Sequence, residues 1–170
     1  AFSTIATNSA LSGTGGGVRI TTIGGSGLTR VKGVLLADNT GTDCDGPLTS
    51  AGYNLIENTT GCIISGDTTG NITGADPDLA PLRHDSGWTQ TQYPFLTGSP
   101  GLNAVPAASC TNLSNIALLL DQRQVVRPQG ANCDIGAVEA NSGGGVGALA
   151  TTTPAPGEML MTWSPGYLDA

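Results

Sequence analysis

The sequence predicts an all-β protein built as a solenoid, and three observations carry that expectation. Charged residues make up only 11% of the chain, against about 25% in ordinary globular domains. A helical protein keeps its outer faces in water largely with Lys and Glu, and a chain whose only Lys is Lys32 has no such supply. Gly accounts for 26 of the 170 residues and Thr, Ser and Asn are abundant, a composition of strands and turns. Third, the first sixty residues contain a loose repeat. "STIATN" at 3–8 aligns with "VLLADN" at 34–39, setting Ile5 over Leu36, Ala6 over Ala37 and Asn8 over Asn39, and "NLIEN" at 54–58 echoes both.

The elements follow in chain order. Short apolar runs, "VRITTI" at 18–23 and "LTRVKGVLLA" at 28–37, are separated by the Gly corners "SGTGGG" and "GGSG". Short strands that recur every roughly 20–30 residues suggest a solenoid over residues 1–64, each strand stacking on its counterpart in the next coil. Asn at the same corner of successive coils then forms a ladder of amide hydrogen bonds. An ordinary β-sandwich with coincidental internal similarity is the alternative. From residue 65 the prolines at 77, 81, 94, 100 and 106 break regular strands, so 65–140 reads as an irregular capping region over an otherwise open end. Residues 141–157 form a Gly/Pro-rich linker. Residues 158–170 hold one alternating strand, with Met159, Met161 and Trp163 on one face, suited to pairing with another chain's edge or to opening a further module. The start, "AFSTIATNSA", reads as mature protein beginning in mid-pattern, without a signal peptide.

The four cysteines, Cys44, Cys62, Cys110 and Cys133, contain no CxxC pair, and the chain has a single His, so disulfides are a better reading than zinc. Of the three connectivities, Cys44–Cys62 with Cys110–Cys133 is favoured, because each pair brackets one Gly/Asn-rich loop and neither crosses the other. Each closure is worth about 3 kcal/mol in the loop-entropy account. Such bonds imply an oxidising, extracytoplasmic setting. A net charge of −7 argues against nucleic acid as a partner. The longest apolar run, "IALLL" at 116–120, is far short of the roughly 20 residues of a membrane span, and there is no basic amphipathic helix, so membrane insertion is not expected.

Charge is concentrated in "DQRQVVRPQGANCDIGAVEA" at 121–140, where Asp121, Arg123, Arg127, Asp134 and Glu139 crowd together. A catalytic reading makes Asp121 and Asp134 a carboxylate pair with an Arg beside them. The structural reading makes all five an ion-pair cluster serving irregular backbone, and it is preferred because the residues fall in the end piece next to a cysteine. Asp38, Asp43 and Asp45 are weak calcium candidates, lacking the spacing and closing Glu of an EF-hand loop. The Gly clusters match no phosphate-binding loop, and His84 with Asp85 stands without a nucleophile motif. No catalytic residue, metal or cofactor is expected. Sequons at Asn58, Asn71 and Asn112 are permissive for glycan attachment.

Several stretches together resemble a known family. They are "NTGTDCDGPLTSAGYNLIENTTGC" (39–62), "GADPDLAPL" (74–82), "LTGSPGLNAV" (96–105), "DQRQVVRPQ" (121–129) and "CDIGAVEA" (133–140). Their order and spacing are similar to the C-terminal part of bacterial right-handed parallel β-helix surface proteins, the choice-of-anchor Q domain, over roughly residues 33 to 140. This chain departs from the family at "DSGWTQTQ" (85–92), where a Gly-Gly-Pro-Thr stretch is common, and at "GLN" (101–103), where Ala-Ile-Asp is common. The resemblance implies a secreted or surface-exposed bacterial protein with its anchor further downstream. The expected function is therefore structural and non-enzymatic, assembling into homo-oligomers or filaments through solenoid ends or the C-terminal strand. An adhesin stalk, and a carbohydrate-binding or polysaccharide-degrading module with polysaccharide as partner, are the alternatives.

Overall fold

The computed structural model describes residues 1–10, 15–21, 29–84, 90–91 and 98–140. Within them the protein is all-β, with two disulfides and no α-helix. Strands β1 (Thr4–Ala6), β4 (Leu35–Ala37), β6 (Leu55–Ile56) and β8 (Ile72–Thr73) form one parallel sheet, in that order. Strands β2 (Val18–Arg19), β3 (Arg30–Val31), β5 (Cys44–Ala51) and β7 (Cys62–Asp67) form a second, also parallel, with β5 at its centre. The chain alternates between the two, and each return to the first sheet lands in register. Thr4 stacks on Leu35, Leu35 on Leu55 and Leu55 on Ile72. The repeat in the sequence is this stacking, with Ile5 paired to Leu36 and Ala6 to Ala37 as the alignment places them. Parallel stacking continues through β7 and β8, beyond residue 64, where the capping region was expected to begin.

Local sequence explains where strands stop and turn. The run 28–37 is interrupted at Lys32–Gly33, so that β3 lies in the second sheet and β4 in the first. Gly33 has φ +62°, and a Cβ there would fall 2.8 Å from the Phe2 ring, so the corner admits no side chain. Proline is ordinarily excluded from a central strand because it cannot donate to the ladder. Pro47 pairs with Ile63 of β7, and on its other side no described strand reaches it: β2 pairs with Cys44 and Asp45 and β3 with Thr49 and Ser50.

Alternation along the first sheet divides its side chains between two interiors. Leu36 and Ile56 face the second sheet, where they meet Cys44, Leu48 and Val34, flanked by Ile5, Val18, Val31 and Ile64. Leu35, Ala37 and Leu55 point the other way and pack against Phe2, Val105, Cys110, Cys133 and Ile135. Each fully buried Leu or Ile contributes about 2 kcal/mol by removing its apolar surface from water.

That second interior corrects an expectation. The whole of 65–140 was expected to cap an open end of the stack; of it, 98–140 lie along the flank, crossing successive strands of the first sheet. The Ala137 N–H donates to Thr4 Oγ1 on β1 (3.0 Å), the Gly136 N–H to the Gly33 carbonyl beside β4 (2.9 Å), and Ile135 packs with Leu35 and Leu55. The physical reason is that the sheet is apolar on both faces, as parallel sheets generally are, so the uncovered face demands burial more than the end does. The flanking segment has little regular structure. β11 (Val105–Pro106) pairs antiparallel with β12 (Asn132–Cys133), a 3₁₀ turn spans Ala107–Ser109, and isolated bridges join Thr111 to Ala117 and Leu120 to Val126. A small antiparallel pair, β9 (Arg83–His84) with β10 (Gln90–Thr91), precedes it. The linker at 141–157 and the strand expected at 158–170, with Met159, Met161 and Trp163, lie outside the described residues, as does Asp85. No helix among the described residues is long and apolar enough to cross a membrane.

Candidate functional site

The five charged residues of the flanking segment do come together, and their geometry shows what they serve. Arg127 is buried, its side chain 1% exposed. It donates through Nη1 to Glu139 Oε2 (2.9 Å) and to the Asp134 carbonyl (3.1 Å), and through Nη2 to the Gly136 carbonyl (2.8 Å). The guanidinium also lies 5.0 Å from the centroid of the Phe2 ring, a cation–π contact that ties the flank to the residues before β1. Glu139, equally buried, accepts the backbone N–H of Gln129 at Oε1 and of Asp134 at Oε2. Asp134 accepts from the backbone of Asn103 (2.7 Å) and Ala140 (2.6 Å). Asp121 accepts the N–H groups of Arg123 and Val125 at one oxygen, and that of Glu139 together with the Arg123 guanidinium at the other.

Burial sets the electrostatics of the cluster. It pushes the carboxyls of Asp134 and Glu139 above their ordinary values, with N–H donors and Arg127 pulling the other way, and it lowers Arg127. Burial alone also pushes Asp121 up, but the N–H groups of Glu139 and Val125 and the Arg123 side chain together hold it below the ordinary aspartate range. Every carboxylate oxygen of Asp121, Asp134 and Glu139 thus carries a hydrogen bond from the protein itself. Among the described residues no buried side-chain nitrogen or oxygen lacks a partner. A catalytic acid or base has to reach a substrate atom within hydrogen-bond distance, and these groups face inward onto backbone.

The asparagine ladder forms and includes one of the calcium candidates. Asn8 donates through its backbone and through Nδ2 to Asn39 Oδ1 (both 3.0 Å), Asn39 Nδ2 donates to Asp43 Oδ1 (2.8 Å), and Asp43 Oδ2 accepts the Asn58 N–H (2.7 Å). Asp43 is therefore a rung of the ladder. Asp45 faces Arg19 at 3.5 Å. Asp38 stays exposed, its carboxyl raised by partial burial and by Asp76 and Asp43. The three aspartates do not converge, and among the described residues no group of His, Cys, Asp or Glu side chains is arranged to hold a metal ion. A second ladder, absent from the sequence reading, joins Asn54 to Asn71 and Ser50, while Asn54 Oδ1 accepts the Val34 N–H. Its sequence signal was the Asn that opens "NLIEN", aligned with the hydrophobic repeat but not with its earlier Asn.

Both disulfides have the favoured connectivity. Cys44–Cys62 joins neighbouring strands β5 and β7, and Cys110–Cys133 closes the flanking segment on itself. Where that segment meets the corner between β3 and β4, a polar cleft of about 230 Å³ opens, lined by Arg30, Lys32, Tyr53, Asp67, Asn112 and Asn115 among others. The sequence singled out Asn112 only as a sequon and did not bring these residues together, because they come from four separate stretches. No protein-family model, curated protein or solved structure matches this chain.

Proposed function

We propose that this chain is a non-enzymatic structural protein of the bacterial surface or of an extracellular filament. In this reading its parallel passes are coils of a right-handed β-helix of the choice-of-anchor Q kind, and identical subunits add at the outer strands. The observation that carries it is the in-register parallel stacking, whose outermost strands among the described residues are β1 and β8 in one sheet and β2, β3 and β7 in the other. A further pass would continue the columns headed by Thr4 and Ile5 or ended by Ile72. On β7, Ile63 is 66% exposed, an apolar side chain at a strand edge of the kind that pairing covers. The inward-facing charge cluster supports a structural role, and the two disulfides suit an oxidising compartment.

The test is electron microscopy of the concentrated protein beside two variants. Fibres that persist after deletion of 141–170 but disappear with Ile63→Lys support stacking through the parallel edges. Loss on deletion or with Trp163→Ala, with Ile63→Lys still forming fibres, supports donation of the C-terminal strand instead. Monomers at every concentration would overturn assembly and leave a stalk.

A further inference from the structure

Of the six Lys and Arg residues in this chain of net charge −7, all but Arg83 have described side chains. Arg19 faces Asp45, Arg123 pairs with Asp121 and Arg127 with Glu139. Arg30 and Lys32 are different, and both line the cleft of about 230 Å³ between the β3–β4 corner and the flanking segment. Arg30 is exposed and its guanidinium meets no described carboxylate. Lys32 is 8% exposed, yet its Nζ donates to a neutral group, Thr111 Oγ1. Asp67, in the same lining, feels Lys32 electrostatically, so the cleft sets two cations against one carboxylate and keeps a net positive charge that an incoming anion can meet.

The rest of the lining is polar and held in place. Tyr53 is fixed by Gly70, where a Cβ would fall 2.4 Å from a ring carbon, and its Oη lies 3.4 Å from Ser109 Oγ. Asp67 accepts the Thr69 N–H at 2.9 Å, and hydrogen bonds from Thr69, with Lys32 nearby, hold its carboxyl below the ordinary aspartate range. Asn112 has its Oδ1 engaged by the N–H groups of Ser114 and Ile116, so its amide nitrogen remains to donate.

We infer that this cleft binds one unit of a carboxylated saccharide, with Arg30 and Lys32 taking the carboxylate and Asp67 and Asn112 taking ring hydroxyls. Arg is suited to a planar carboxylate through its forked donors. A neutral sugar would leave the cleft's excess positive charge, two cations against Asp67 alone, uncompensated. A bare phosphate or sulfate would leave the amides and the acceptor oxygen of Asp67 unused. A volume below the roughly 300–1,000 Å³ of drug-sized pockets suits a single ring rather than a buried oligomer. The site does not depend on assembly: subunits that never polymerise would present it equally.

Calorimetric titration of the full chain with uronic-acid trimers (galacturonate, mannuronate and guluronate), with their methyl esters and with inorganic phosphate tests the inference. At least one acidic trimer is expected to bind in the millimolar range or tighter, with its ester weaker by about tenfold or more, the loss of one charge-assisted contact. Arg30→Gln, at an exposed position that leaves the fold intact, is expected to weaken the acid form to a similar degree, and Arg19→Gln is expected to leave it unchanged. Absence of binding by every trimer, equal affinity for acid and ester, indifference to Arg30→Gln, or phosphate binding as tightly as the trimer would each overturn it.

Discussion

Leu35 and Leu36 are chain neighbours on one strand, and they enter interiors that are held together by different means. Behind Leu36, Leu48 and Ile56 stand two parallel sheets whose backbone groups satisfy one another strand by strand. Beyond Leu35 and Leu55 lies the segment 98–140, which has almost no ladder. Its peptide groups still cannot be buried without partners, and the ionised side chains provide them. Arg127 takes the carbonyls of Asp134 and Gly136, Arg123 takes that of Glu139, and three carboxylates take N–H groups from Gln129, Val125, Asn103, Ala140 and others. Apolar alternation is enough where the backbone pairs with itself. Where it does not, burial of a loop requires charges aimed at peptide groups.

The largest effect that would break this contrast is Arg127→Ala. Removing the guanidinium leaves Glu139 buried beside two freed carbonyls, and the expected loss is about 3–5 kcal/mol in urea unfolding. A loss below that of an ordinary core truncation would show that the cluster is not what holds the flank. Leu36→Ala and Leu55→Ala set that reference, one in each interior, at about 2–5 kcal/mol each. Equal losses are expected, because both side chains are fully buried and the transfer term does not depend on how the surrounding backbone is paired.

Replacing Cys110 and Cys133 together by Ala is expected to cost about 3 kcal/mol in the loop-entropy account. Limited proteolysis should then cut within 111–131 before it touches the parallel strands. The corresponding change at Cys44 and Cys62 costs a similar amount but should produce no such early cut, since β5 and β7 stay paired along their length.

Acid separates the two regions further. Asp121 is held below its unfolded value, so the stability it supplies is complete above about pH 4 and is lost as pH falls through the folded-state value. Asp134 and Glu139, raised by burial, act with the opposite sign: their ionisation costs stability as pH rises through their folded values. The stability difference between wild type and Asp121→Asn should therefore be constant near neutrality and narrow below about pH 4. A gap that stays constant into acid would mean that Asp121 is not ionised in the fold. The smallest effect belongs to the ladder: Asn8→Ala, at an exposed rung, should cost about 1 kcal/mol.

The sequence was most informative where structure repeats. The alignment of Ile5 with Leu36 and of Asn8 with Asn39 predicted a parallel register and an amide ladder, and the spacing of the cysteines favoured the pairing that forms. Repetition makes a contact visible because partners share a residue type at a constant offset. The charge cluster was legible as a cluster, since its members fall within twenty residues of one another. Its position on the flank was not, because nothing local distinguishes a segment that covers an end from one that covers a face. The second ladder through Asn54, Asn71 and Ser50 was missed because its members do not share one place in the repeat.

The sequence alone determined the class of the fold, the parallel register and the need to satisfy an irregular, charge-bearing segment, and it favoured the disulfide pairs that form. Each is a matter of composition or of recurring spacing, and each survives without knowledge of three-dimensional packing. Only the tertiary structure decided that residues 98–140 cover the second face of the first sheet, that Asp43 is a ladder rung, and that Arg30 and Lys32 share a cleft with Asn112 and Asn115. Those outcomes depend on which surfaces of a folded stack remain apolar, and that property exists only once distant segments have been brought together.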